Sequence, residues 1–195
     1  GRVRSVAIGV DHVCAVDFDQ DTWCWGKANL GQLGTGDLLF REYPSPAAAG
    51  HSFRAVFAGE SMSCGLDDAD RASCWGLNDM GQLGIGSTVM LADVPEPMDG
   101  GHELLTLSLG YFHGCGVDRA GRAWCWGTGI FGQAGDEACR AWAGCPSPVR
   151  VQGIDGLVDI GVGAFHSCAL DSDGQAWCWG RNDYGELGAD GVIES

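Results

Sequence analysis

Residues 9–26 read GVDHVCAVDFDQDTWCWG, and the phrase returns at 59–76 as GESMSCGLDDADRASCWG, at 110–127 as GYFHGCGVDRAGRAWCWG and at 163–180 as GAFHSCALDSDGQAWCWG. A glycine loop follows each copy: GQLG from Gly31 and Gly81, GQAG from Gly132 and GELG from Gly185. A period of about fifty residues marks a repeat architecture, in which each copy is one supersecondary unit that buries its apolar face only against its neighbours. The repeat therefore decides the fold before any local propensity is weighed.

Inside each copy two cysteines stand ten apart: Cys14 and Cys24, Cys64 and Cys74, Cys115 and Cys125, Cys168 and Cys178. Folding the phrase into an antiparallel hairpin midway between them puts Ser172, Asp173 and Gly174 in a three-residue loop, a type I turn closed by glycine in the left-handed region. Gly121 takes that place in the third copy, while Gln20 and Asp70 take it in the first two and should be somewhat strained there. This register sets Trp25 opposite Val13, Trp75 opposite Ser63, Trp126 opposite Gly114 and Trp179 opposite Ser167, a bulky ring over a small partner each time. On the other face each cysteine meets its mate at a non-hydrogen-bonded pair, where Cα atoms lie about 4.5 Å apart and a disulfide closes readily.

Alternating segments upstream, VRSVAIG from Val3, FRAVFAG from Phe53, LLTLSLG from Leu104 and LVDIGVG from Leu157, read as one further strand per copy. The proline-bearing YPSPAAA from Tyr43, DVPEPMD from Asp93 and CPSPVRV from Cys145 suit an outer edge, since proline cannot donate to a ladder. Three or four short strands per repeat make a propeller blade, so the fold class is all-β, a β-propeller.

The order G-x-x-H-x-C-A-V/L-D, then W-C-W-G, then N-x-x-G-Q-L-G resembles the repeat of the regulator of chromosome condensation family across nearly the whole chain. That resemblance implies a propeller of seven blades, of which four repeats are present here, at about 2–52, 53–103, 104–156 and 157–195, the last without its outer strand. The paired cysteines resemble a secreted branch of the family, common in bacteria and similar to the ectodomain repeats of some plant receptor kinases. An open stack of four blades exposes apolar sheet faces at both ends. Additional blades are the expected cover, ahead of closure as a four-bladed ring or self-association of two chains.

Composition limits the partners. Eleven Lys plus Arg against 26 Asp plus Glu give a formal charge of −15, a field that repels polyphosphate, so no nucleic acid is expected as a partner. No stretch approaches the roughly 20 apolar residues of a membrane helix, so no membrane insertion is expected. The chain opens at Gly1 with neither methionine nor a charged-then-apolar leader and reads as a processed product or an excerpt. Repeated in-register cysteine pairs imply an oxidising location: extracellular, periplasmic or at the cell surface.

The chemical motifs weaken on inspection. His12 with Cys14 and Cys24 offers zinc too few ligands, and Met62 replaces the histidine in the second copy, so an imidazole packed over glycine and bonded to backbone is the plainer reading. Asp17, Asp67, Asp118 and Asp171 recur at the hairpin turns; DFDQD lacks the glycine and glutamate of a calcium loop, and turn formation explains them. Gly127, Gly129 and Gly132 match GxGxxG but open no helix. No catalytic residue, cofactor or metal site is expected. One departure from the repeat stands out: in ACRAWAGC, Cys139 and Cys145 could staple a small loop that either displays Arg140 and Trp142, with the composition of a binding hot spot, or packs Trp142 back onto the blade.

The expected function is a non-catalytic, secreted or surface-displayed propeller that binds an unknown protein or glycan through its loops. The resemblance also implies two alternatives, a guanine-nucleotide exchange factor-like regulator of a small GTPase and a secreted enzyme inhibitor. Propeller folds also host carbohydrate-active enzymes, which would line the central channel with carboxylates.

Overall fold

A computed structural model describes residues 2–141 and 144–188. Each repeat folds as one antiparallel sheet whose strands lie in sequence order. The first blade is β1 (Val3–Ile8), β2 (His12–Asp17), β3 (Thr22–Gly26) and β4 (Arg41–Ala47), and the second is β5 (Ala55–Ala58), β6 (Met62–Leu66), β7 (Ala72–Leu77) and β8 (Leu91–Pro97). The third is β9 (Leu104–Leu109), β10 (His113–Asp118), β11 (Ala123–Gly127) and β12 (Cys145–Arg150); the fourth shows β13 (Leu157–Val162), β14 (His166–Asp171) and β15 (Ala176–Gly180). The first strands β1, β5, β9 and β13 abut one another, so they form the inner edge of an arc of blades, and the proline-bearing strands lie outside.

The hairpin register follows the sequence reading. Trp25 faces Val13, Trp126 faces Gly114, and each of the four cysteine pairs is in register. Their Cα atoms are 4.1 to 4.2 Å apart and all four pairs are disulfides. The glycine that ends W-C-W-G has a steric cause. Gly26 has φ 107° at the bulge where β4 joins, and a Cβ there would lie 2.4 Å from the carbonyl oxygen of Asp11.

The turn aspartates are consumed by the hairpins themselves. Asp17 Oδ1 accepts from the backbone of Asp19 and Asp21, and its Oδ2 accepts from the indole of Trp23 at 3.1 Å. Asp118 and Asp171 repeat this with Trp124 and Trp177. In the second copy Ser73 replaces the tryptophan, and Asp67 turns to Arg71 instead. The indole hydrogen bond is the largest influence holding the Asp17 and Asp171 carboxyls below their ordinary range. At Asp118, burial pushes upward and is outweighed by Arg122, Trp124 and two backbone donors.

Three apolar clusters form the core, and each lies between two blades rather than within one. The leucine of a blade's glycine loop packs with the second tryptophan of the next blade: Leu33 with Trp75, and Leu83 with Trp126, with Ala134 and Trp179 in the third case. Each of these indoles donates to the carbonyl of the preceding loop's glutamine, Gln32, Gln82 or Gln133, at 2.9 to 3.0 Å. A buried indole needs such a partner, and the loop geometry supplies it across the blade boundary.

The histidines depart from the sequence reading. His12 and His113 do lie opposite Gly26 and Gly127, but their Nε2 atoms bond to serine hydroxyls of the following blade, Ser63 at 2.8 Å and Ser167 at 3.0 Å, and not to backbone. The hairpin register places the imidazole correctly; only the neighbouring blade reveals what it touches.

Candidate binding face

Two loops of every blade meet at one edge of the arc: the turn after the inner strand, and the glycine loop after W-C-W-G. They are tied by a backbone hydrogen bond, Lys27 to Asp11, Leu77 to Ser61, Thr128 to Phe112 and Arg181 to Phe165, at 2.8 to 2.9 Å. Within each glycine loop, the side chain of Gln32, Gln82, Gln133 or Glu186 accepts from the backbone N–H two residues earlier. That bond pins the loop around Leu30, Met80, Phe131 or Tyr184 and leaves the side chain at that place on the rim.

What occupies the rim differs from blade to blade. The first blade places Lys27 and Asp11 there as an exposed ion pair of 3.1 Å. The third and fourth blades place aromatics: Tyr111 and Phe131 are each 42% exposed and Tyr184 is 86% exposed. Phe165 joins them edge-on, 6.0 Å from Tyr111 and 5.4 Å from Phe131 between ring centroids. At the centre the Arg181 guanidinium lies 5.4 Å from the Phe131 ring and 5.8 Å from both Phe165 and Tyr184, with Asp183 holding its Nε. Exposed aromatic surface gathered around a cation suits a contact that excludes water, where the cation–π attraction strengthens.

The disulfide between Cys139 and Cys145 closes beside this rim. Cys139 is buried in a short 3-10 turn, Glu137–Arg140, and its carbonyl accepts from the backbone of Gly129. Arg140 is exposed, pairs with Glu137 at 2.9 Å and lies close to Gly132, at the base of the loop that carries Phe131. Trp142 lies outside the described residues. Arg140 and the aromatic rim therefore share one edge of the third blade. The aromatic rim matches no chemical motif in the sequence. Its signal was present, since only the third and fourth copies carry aromatics both after G-x in the inner turn and before the glycine loop.

The inner strand ends line a depression of about 330 Å³, with Ile8, Val10, Leu109, Tyr111 and Val162 in its wall and Glu60 as its one carboxylate among the described residues. Among those residues no group of three His, Cys, Asp or Glu side chains is placed to hold a metal ion, and no helix is long and apolar enough to cross a membrane.

The repeat is matched by known proteins. The family model described as the regulator of chromosome condensation repeat matches residues 106–133 and 157–186. The chain is 35% identical over 192 residues to a probable E3 ubiquitin-protein ligase of Homo sapiens, HERC4, covering 96% of this chain and 18% of that protein. The crystal structure of Prp20p from Saccharomyces cerevisiae superposes with a TM-score of 0.83 at 20% identity, over 97% of this chain and 48% of the other. The ectodomain of the Arabidopsis thaliana receptor kinase ACR4 superposes with a TM-score of 0.54 at 22% identity, over 91% and 49%. The chain thus spans less than a fifth of HERC4 and just under half of each solved chain. The chain therefore carries repeats of the regulator of chromosome condensation type at residues 106–133 and 157–186, and its arc of blades shares the fold of Prp20p.

Proposed function

We propose that the chain is a non-catalytic binding propeller of an oxidising compartment, extracellular, periplasmic or at the cell surface, and that it recognises a protein or glycan through the loop edge of its third and fourth blades. The observation that carries the reading is the Arg181 guanidinium set among Phe131, Phe165 and Tyr184 on an exposed rim. Arginine and tyrosine dominate binding hot spots, and rigid rings lose little entropy when covered. Five disulfides support the compartment, because such bonds persist where thiols are not kept reduced. The inner depression is lined largely by apolar side chains, Ile8, Val10, Leu109, Tyr111 and Val162 among them, a surface that suits a binding contact.

The test is a binding survey on protein and glycan arrays with the oxidised chain, repeated with Phe131→Ala/Tyr184→Ala. Binding that the double variant loses, with the melting temperature unchanged, supports the rim as the site. Retention of all binding by the variant sinks it. The exchange-factor reading is checked in parallel by nucleotide release from small GTPases, where no acceleration is expected; none of the residues described here selects the enzyme-inhibitor reading.

A further inference from the structure

The aromatic rim is set in a charged loop edge, and the charges there do not balance. Among the described residues four cations stand on that edge, and each is held by a neighbouring carboxylate: Lys27 by Asp11, Arg41 by Asp37, Arg140 by Glu137 and Arg181 by Asp183, at 2.5 to 3.1 Å. Glu60, Asp79, Asp136 and Glu186 lie on the same edge and pair with no cation among the described residues. Three of them accept hydrogen bonds from neutral donors at 2.8 to 3.0 Å: Asp79 from the Gln82 amide, Asp136 from the backbone of Ala138 and Glu186 from the backbone of Tyr184. Such donors fix where the carboxylates sit and leave their charge uncancelled. The described loop edge therefore presents spare negative charge and no spare positive charge, in a chain whose formal charge is −15.

The rings beside these carboxylates share no plane. Phe165 meets Tyr111 at 69° and Phe131 at 72°, and Tyr111 meets Phe112 at 89°. Rings set edge to face make a corrugated surface, which suits interdigitating side chains better than the flat face of a sugar. Their faces attract cations, as the contacts of Arg181 with three of them already show.

Ile130, 41% exposed, extends this surface at the expense of a buried hydrogen bond. In the second blade Asp79 stands at the same place in the loop and takes the Gln82 Nε2 amide at 3.0 Å. With isoleucine there, Gln133 Nε2 is buried without a partner among the described residues. An unmet buried donor costs stability, and a partner that covers the isoleucine offsets that cost.

We propose that the occupant of the rim is a basic protein surface, whose arginine or lysine side chains reach the spare carboxylates while their aliphatic stems and neighbouring apolar groups cover Phe131, Phe165 and Ile130. The inference rests on the rim being the binding site and names what it binds. Carboxylates without cations, next to rings that attract cations, fit a positively charged partner. The field of the whole chain draws such a partner in and turns an acidic one away.

The test neutralises the carboxylates and leaves the loops intact. In the quadruple variant Glu60→Gln, Asp79→Asn, Asp136→Asn and Glu186→Gln, an acceptor oxygen remains at every position, and glutamine at 186 is what the other three loops carry. A matched control, Asp19→Asn, Asp21→Asn, Asp68→Asn and Asp173→Asn, changes the charge equally at the opposite, hairpin-turn edge. These two, Phe131→Ala/Tyr184→Ala and the unaltered chain, all oxidised and matched in melting temperature, are applied to an array of purified proteins of known sequence at ~50 and ~300 mM sodium chloride. The unaltered chain and the control should retain proteins of positive net charge, with a signal at least about tenfold weaker at the higher salt, and the quadruple variant should lose at least about tenfold at the lower salt. The proposal is overturned if the quadruple variant binds as well as the unaltered chain, if the control loses as much as the quadruple variant, if the retained proteins are neutral or acidic, or if no protein is retained. If Phe131→Ala/Tyr184→Ala keeps everything that the unaltered chain binds, the rim itself is refuted as the site, and this proposal falls with it.

Discussion

Replacing Ser167 with alanine removes one hydroxyl that serves two partners, and the cost can be worked from the geometry. The side chain is fully buried; it donates to the Gln133 carbonyl and takes His113 Nε2, both at 3.0 Å. The carbonyl keeps the Trp179 indole at 2.9 Å, but the His113 ring keeps nothing, since its Nδ1 has no partner among the described residues. A lost hydrogen bond is worth about 1 kcal/mol, and a buried donor left unsatisfied costs about 1 to 3 kcal/mol, so the variant should lose about 2 to 3 kcal/mol. Stability in a repeat array is a sum of blade and nearest-neighbour terms, so the loss belongs to the junction of the third and fourth blades. Copying the junction of the second and third blades, where Met62 and Gly114 stand at these places, His113→Met with Ser167→Gly removes donor and acceptor together and should cost about half as much as Ser167→Gly alone, which deletes the same hydroxyl as Ser167→Ala. The assay is equilibrium unfolding in urea followed by tryptophan fluorescence, because Trp179 sits at the junction, with both single variants and the double variant forming a cycle. Additivity of the two single changes to within about 0.5 kcal/mol would refute the reasoning, because residues that do not share a contact behave that way.

Acid should act through the same histidines. Burial lowers His12 to about 4 and His113 to about 3, so both are neutral when folded, while the unfolded chain takes up protons below about 6.5. Stability is therefore present above 6.5 and declines as pH falls from there toward 4, by roughly 3 kcal/mol from His12 alone, whereas the turn carboxylates Asp17 and Asp171 contribute their loss only below about 4. A melting temperature flat between pH 6.5 and 4.5 would contradict this. Timed reduction with alkylation and mass spectrometry should open Cys168–Cys178 first, since the other three hairpin disulfides are fully buried between blades; each hairpin bridge lost removes about 3 kcal/mol of loop-closure stabilisation. Gln20→Gly and Asp70→Gly should diverge although both residues have positive φ, 68° and 61°. The first should be neutral or stabilising by up to about 1 kcal/mol. The second should destabilise, because Asp70 is buried and paired with both Arg54 and Arg119, and equal melting shifts would exclude that distinction.

How far the chain could be read in advance varies with the range of the contact involved. Asp171 and Gln175 flank a loop of three residues, so turn chemistry and a two-residue side-chain period were enough to place Trp179 opposite Ser167 and Cys168 opposite Cys178. The role of Asp17 as a turn former could be read too, although its bond to the Trp23 indole was not, because it depends on rotamers rather than register. His12 was matched to the correct glycine and then assigned the wrong partner. Its serine lies 51 residues away on another blade, a separation at which local spacing carries no information.

The candidate face shows the same division. Arg140 drew notice because two extra cysteines break the repeat, a signal carried by the letters alone. Arg181, Phe131 and Phe165 lie 16 to 50 residues apart in sequence, and nothing in their local pattern says that one guanidinium lies over both rings. What the order of residues determined by itself was the unit: strands, turns, cysteine pairing within a hairpin, and the repetition that makes a propeller. What only the tertiary structure decided was how units meet, which carbonyl takes each indole, which hydroxyl takes each imidazole and which aromatics gather on one rim. Within a hairpin the covalent chain holds partners in register, so spacing suffices; between blades position follows from packing summed over whole sheets, and no short stretch of sequence encodes that sum.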